Sequence, residues 1–248
     1  MSLLFNASYL AWSDTKARYK KSILGPFWLT LTNLIGILGL SVVWGTLLKE
    51  EMSTFVPSLT IGMIVWQLVA GTIGDAPTTF VRQAGVIRNV AMPIWFFVVR
   101  GLTKQVINFL HNIIIIMGVV IYFHFPLTST MLLSIVGLLL VILNLFWITF
   151  LLGFLGARFR DIEWAITALL PLLFFVSPVI FKPDHLPEGL DIIWLNPLSY
   201  FIEVVRAPFL GKIPDIHTYI VMLSFLVSGG VFSLWLAIKK GKRVAYWV

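Results

Sequence analysis

Few side chains in this sequence are placed to do covalent chemistry. Asp161 and Glu163 form the closest thing to a carboxylate pair, but they stand two apart in a charged turn where both are solvated. Their charge is better used in capping the helix that follows, whose N-terminus favours acids through its dipole. His111, His124, His185 and His217 are dispersed without ligand spacing, which argues against a metal site. The chain has no cysteine, so neither a disulfide nor a thiolate site is available. The Gly211-Lys212 and Gly241-Lys242 pairs lack the earlier glycine of a Gly-x-x-x-x-Gly-Lys-Ser/Thr loop, and the chain builds no P-loop of its own.

Non-covalent chemistry is better represented. Lys16, Arg18, Lys20 and Lys21 place four cations within six residues, and Gly25-Pro26 then breaks the chain before Phe27-Trp28 opens an apolar run. This is how an aqueous segment meets a first membrane span, with an indole at headgroup depth and a bend at the joint. Asn108, His111 and Asn112 lie at i, i+3 and i+4 inside another apolar run, on the face begun by Lys104. They are either a hydrophilic path or contact for a polar substrate, or a set of interhelical hydrogen bonds. Aromatics are abundant, with 20 Phe, 10 Trp and 6 Tyr. Trp44, Trp66, Trp147, Phe146, Phe150, Phe174 and Phe175 fall at various depths of the apolar runs, either as flat faces for sugar rings or as packing against lipid and neighbouring helices.

The elements that hold these residues belong to a membrane protein. Hydrophobic residues make up 59% of the chain and charged ones only 12%, with a mean hydropathy of +0.96. A soluble domain carries about twice that share of charge. The net charge of +7 is spread in short clusters between apolar runs, not gathered in one patch, which excludes a nucleic-acid partner. Six runs have spanning length, at about 28–48, 55–74, 105–123, 130–153, 163–181 and 218–238. Residues 1 to about 21 are too polar to span and suit an interfacial helix with Phe5, Tyr9, Trp12 and Tyr19 on one side. A cleaved signal peptide is not expected, because the basic residues follow the first apolar ones.

Charge sets the orientation. With the N-terminus inside, Lys16, Arg18, Lys20, Lys21, Arg82, Arg88, Arg100, Lys104, Arg158, Arg160, Lys239, Lys240, Lys242 and Arg243 are cytoplasmic, and Lys49, Lys182, Arg206 and Lys212 remain outside. Both termini are then cytoplasmic by the positive-inside rule. Residues 75–104 form a long cytoplasmic connection holding Arg82, Arg88, Asn89 and Pro93. Residues 182–217 form an external segment rich in proline yet containing Ile192-Ile-Trp-Leu and Tyr200-Phe-Ile-Glu-Val-Val, which predicts short helices dipping back toward the membrane. No carboxylate lies near the centre of a span, so ion-coupled transport is not expected and the energy comes from another chain.

Four strings in order resemble one family. They are Arg18-Tyr-Lys-Lys-Ser-Ile-Leu-Gly-Pro-Phe-Trp28, Ala157-Arg-Phe-Arg-Asp-Ile162, Trp194-Leu-Asn-Pro-Leu-Ser-Tyr-Phe-Ile-Glu203 and Lys242-Arg-Val-Ala-Tyr-Trp-Val248. With six spans they look like the membrane subunit of ABC-2 type exporters, close to the O-antigen and capsular polysaccharide permeases, and the likeness covers essentially the whole chain. The resemblance implies a single all-α transmembrane domain over 1–248, with an interfacial helix at 1–21, a six-span bundle at 28–238 and a cytoplasmic tail at 239–248. It implies a non-enzymatic half-transporter in the bacterial inner membrane that pairs with itself and recruits two copies of a separate ABC ATPase. That ATPase binds ATP and Mg; this chain holds no cofactor.

By the same resemblance, Tyr9, Trp12, Arg18, Arg82, Arg88, Asn89, Arg158 and Asp161 are the residues expected to meet the ATPase. Arg18, Lys20, Lys21 and Arg88 stand where a lipid diphosphate would enter, although orientation by positive charge accounts for them equally. Trp44, Trp66, Phe146, Phe174, Phe175, Trp194, Tyr200 and Phe201 are the channel and gate candidates. The implied cargo is a polysaccharide on undecaprenyl diphosphate. Teichoic acid, glycolipid or drug as cargo, or a membrane enzyme acting on polyprenyl-linked sugars, are the alternatives.

Overall fold

The computed structural model describes residues 3–20, 22–25, 27–90, 92–181 and 191–248, and for Arg18, Tyr19, Asp191 and Ile192 the backbone alone. The described residues form helices and no strands: α1 Leu3–Tyr19, α2 Phe27–Leu48, α3 Met52–Asp75, α4 Ala84–Asn89, α5 Trp95–Tyr122, α6 Met131–Arg158, α7 Asp161–Val176, α8 Pro197–Phe209, α9 Ile216–Lys240 and α10 Val244–Trp247. Short 3₁₀ turns at Ala76–Thr78 and Val81–Gln83 lead into α4, and another at Asp191–Leu195 leads into α8.

Apart from the start of α5, each membrane-length helix follows from an apolar run, and three stops share one geometry. Lys49, His124 and Gly211 take φ of 53°, 49° and 84°, and the next amide returns to a carbonyl of the last turn: Glu50 to Gly45 at 3.2 Å, Phe125 to Val120 at 3.0 Å and Lys212 to Ala207 at 2.9 Å. This left-handed stop satisfies carbonyls that would otherwise be orphaned. Gly25 has φ of 56° at the joint between α1 and α2, a conformation that a side chain disfavours. The bend therefore belongs to Gly25; Pro26 lies outside the described residues.

Among the described residues, five helices are long and apolar enough to cross a bilayer, α2, α3, α5, α6 and α9. The expected fifth span appears as α7, which has only 16 residues and Pro171 inside it. At about 1.5 Å per residue it reaches about 24 Å, short of a hydrocarbon core of about 30 Å. The expected third span starts ten residues early, at Trp95. Arg100 and Lys104 depress hydropathy there, but both are ion-paired, so the helix runs through them.

α3 is buried along most of its length and forms the middle of the bundle, packed by α2, α5, α6, α7 and α8. α7 has no buried residue, and α2 and α9 keep most of their apolar faces outward. One core cluster follows α3 through the bundle, with Phe55, Leu59, Val65, Leu145 and Phe201 among its members. A second sits at the end where α1, α4 and α10 meet and joins Ala7, Phe80, Phe96, Phe154, Val244 and Val248.

α1 buries a stripe of small residues opposite its aromatic side. Ala7, Ala11 and Thr15, four residues apart, form its buried stripe and lie against α5, while Phe5, Tyr9 and Trp12 point outward. Small side chains permit close helix approach without any hydropathy contrast to announce it. Neither Asp161 nor Glu163 makes a capping hydrogen bond; both sit in the first turn of α7, where their charge alone meets the dipole.

Candidate functional site

The basic clusters converge on one end of the bundle, where charged side chains tie four segments together. Asp75, at the end of α3, is the hub. Its Oδ1 accepts from Arg82 Nη1 at 3.0 Å, and its Oδ2 accepts from Lys104 Nζ at 2.9 Å and Gln105 Nε2 at 2.8 Å. Beside it, Arg100 donates through Nε to Asp14 Oδ2 at 2.8 Å and through Nη1 to Gln83 Oε1 at 3.0 Å. α1, the turn before α4, α3 and α5 thus share one network. It lines a cleft of about 270 Å³ in which Arg82, Arg100 and Lys104 face Asp14 and Asp75, leaving one positive charge in excess.

The connection from α3 to α5 is held from below by α6. A Cβ at Gly156 would collide with the carbonyl oxygen of Pro77, so at this point the helix and the turn pack backbone to backbone. The tail closes the same end. Val244 and Val248 are buried, Arg88 of α4 donates to the Val248 backbone oxygen, and Arg160 donates to the Trp247 carbonyl at 3.4 Å. The Arg158 guanidinium lies 6.0 Å from the Trp247 ring, within cation–π range.

Among the residues expected to meet the ATPase, Arg82, Arg88, Arg158 and Asp161 therefore gather at one end with Asn89, whose amide bonds back to Gly85 O at 2.8 Å. Tyr9 and Trp12 are exposed on α1. Of the four diphosphate candidates, Lys20 is exposed and Arg88 is engaged with the tail; Lys21 and the Arg18 side chain lie outside the described residues.

The aromatic candidates separate into groups. Trp66 of α3, 7% exposed, lies 5.6 Å from Phe174 of α7, which is 5.3 Å from Phe175, 65% exposed. At the opposite end Trp194 lies 5.1 Å from Tyr200, which is 5.9 Å from His217. Trp44 is half-buried against the main core, Phe146 packs 6.5 Å from Phe150, and Phe201 is buried within the main core. Phe146 starts a third row, which continues from Phe150 to Phe154 at 5.1 Å and to the half-buried Trp247 at 6.4 Å.

Sequence reasoning missed Arg206, counted as an external loop cation. It is 1% exposed on α8, donating through Nη2 to Glu203 Oε2 at 2.7 Å and through Nη1 to the Pro178 carbonyl and to Phe181 O at 3.3 Å. With Asn196 donating to Ser177 Oγ at 2.8 Å, it pins α8 to the chain that leaves α7. The acid at i−3 was the available signal. Asp14, Arg100 and Gln83 were missed because each partner lies far along the chain.

The bundle of membrane-length helices, five among the described residues, with an ion-paired end clamping an additional helix, defines a multi-pass membrane protein. Residues 6–210 match the family model of the ABC-2 type transporter, and the chain belongs to that family as a permease. It is similar to an O-antigen export system permease protein RfbA of Klebsiella pneumoniae, 25% identical over 218 residues, covering 86% of this chain and 82% of that one. It is also similar to the protein of the same name from Myxococcus xanthus, 23% identical over 231 residues, covering 90% and 86%.

Proposed function

We propose that this chain is the membrane-spanning subunit of an ATP-driven exporter that moves an O-antigen-like polysaccharide, carried on undecaprenyl diphosphate, from cytoplasm to periplasm. Two copies pair in the inner membrane, α7 serves as a sixth crossing, and two ABC ATPase subunits that hold ATP and Mg bind the basic end, with both termini on the cytoplasmic side. The observation that carries this reading is the network at that end, joined to the likeness with the O-antigen permeases.

A partner pressing on α1 or α4 acts on side chains already bonded to the bundle. Displacement of Asp14 pulls Arg100, and displacement of Arg82 pulls Asp75 and through it Lys104, so α3 and α5 move with the contact. Arg88 has five N–H donors, of which the tail bond uses one, and with the exposed Lys20 it can still attract a diphosphate. The 3₁₀ turn at 191–195 and α8 act as the external gate, with Arg206 as its pin.

Co-expression with a P-loop ATPase tests the proposal. The two are expected to co-purify, ATP is expected to be hydrolysed only by the complex, and deletion of this chain is expected to leave lipid-linked glycan on the cytoplasmic face. Turnover of polyprenyl-linked sugar by this chain alone would show a membrane enzyme instead.

A further inference from the structure

Between α2, α3 and α5 lies a cavity of about 310 Å³ that the transport reading does not use. Its wall carries five amides, Asn33 of α2, Gln67 of α3 and Gln105, Asn108 and Asn112 of α5, with the rings of Trp66 and Phe109 beside them. Among the described residues, no Lys, Arg, Asp or Glu lines it. Positions 105, 108 and 112 fall on one face of a helix, so the amides form a column about 10 Å deep.

The column is only partly satisfied by protein. Gln105 donates to Gly71 O at 3.1 Å and to Asp75 Oδ2 at 2.8 Å, Asn108 to Gln105 Oε1 at 3.2 Å, Asn112 to Asn108 O at 3.1 Å, and Gln67 to the side-chain oxygen Oδ1 of Asn33. Asn112 is 3% exposed, and its Oδ1 has no hydrogen-bond partner. An amide oxygen left unpaired inside a membrane bundle is destabilising, and leucine would fill the same positions without that cost. The arrangement makes sense when something else supplies the missing donor.

The wall chemistry selects what that is. Amides donate and accept, matching hydroxyls in either role, and the faces of Trp66 and Phe109 suit an apolar ring face. An uncharged lining offers no counter-charge to a phosphate. The volume holds on the order of ten waters, at about 30 Å³ each. We propose that this cavity binds a neutral, polyhydroxylated ligand the size of one sugar ring, inside each protomer, and holds water when the ligand is absent. That the ligand is a sugar rests on the glycan-export reading.

Because the chain has no cysteine, single substitutions report on the site directly. Asn112→Cys and Asn33→Cys, in protein reconstituted in nanodiscs, are expected to react with a water-soluble methanethiosulfonate at least tenfold faster than Ile115→Cys, which lies buried on α5 outside the cavity. Methyl glycosides of glucose, galactose, mannose and N-acetylglucosamine are the probes, and at least one is expected to slow the labelling twofold or more. Labelling as slow as that of Ile115→Cys at both positions overturns the proposal, and so does labelling that no glycoside slows. Glycan export by the wild-type complex is measured alongside. Export with glycoside-insensitive labelling overturns the cavity alone, and glycoside-sensitive labelling in a complex that exports no glycan overturns the cargo reading alone.

Discussion

Lys104 Nζ lies 2.9 Å from Asp75 Oδ2, and Gln105, the next residue on α5, donates to the same oxygen at 2.8 Å. One carboxylate thereby joins α3 to α5 at the point where the connection to α4 begins. Arg82 uses the other oxygen, so removing Asp75 leaves two cations without a counterion. Asp75→Asn is expected to lower stability by about 2 kcal/mol, a partly exposed pair being worth less than a buried one. It is also expected to uncouple ATP hydrolysis from transport. Thermal unfolding in detergent and ATPase assays of the complex check both, and a cycle with Lys104→Met isolates the pair.

Arg206 makes a different kind of bond, buried where water cannot replace it. Arg206→Met is expected to cost about 3–5 kcal/mol, because Glu203 and two carbonyls lose their donor together. Arg206→Lys is expected to recover only part, since an ammonium cannot span Glu203 and the Pro178 and Phe181 carbonyls at once. Limited proteolysis between α7 and α8 reads the loosening; cleavage no faster than wild type in Arg206→Met would remove the pin.

Gly25 separates backbone from bulk. A Cβ there meets no atom within 4 Å, but φ is 56°. Gly25→Ala and Gly25→Leu are therefore expected to cost similar amounts, about 1–2 kcal/mol, and Gly25→Asn less. Transport is expected to fall more than membrane insertion. A graded loss from Ala to Leu would point to crowding instead.

At Gly156 the expectation reverses. Gly156→Ala drives a methyl into the Pro77 carbonyl and is expected to cost about 1–3 kcal/mol by forcing α6 and the turn apart. Hydrogen exchange at residues 76–90 is expected to rise while exchange in α9 stays unchanged.

The tail offers a test at the edge of the bundle, where Trp247 packs against Phe154 and Arg158 of α6. Trp247→Ala removes the ring under Arg158 and weakens the seat of α10, so exchange in α4 is expected to rise through the lost Arg88 contact. Unchanged protection of α4 would show that Phe80 and Phe96 hold it without help.

Hydropathy and charge are sums over neighbouring residues, so the long apolar helices and the basic end could be read directly from the chain. The short helix between the last two apolar runs was readable for the same reason, as Tyr200-Phe-Ile-Glu-Val-Val carries its own periodicity. What failed locally was the start of α5, where Arg100 and Lys104 look like loop charges until their partners are known. The aromatics were legible as a class but not by role: burial of Phe201 and exposure of Phe175 depend on which helix lies opposite.

The sequence by itself determined a helical membrane protein with Lys16 to Trp28 as the border between a cationic segment and the bundle. Tertiary structure alone decided which charges meet. Asp14 and Arg100 are 86 positions apart and Arg88 and Val248 are 160 apart, and no local pattern links such pairs. The same holds for the amide column, since Asn33, Gln67 and Asn112 share a cavity only because three helices pack around it. A side chain's solvent is local information in a membrane protein, but its partner is not.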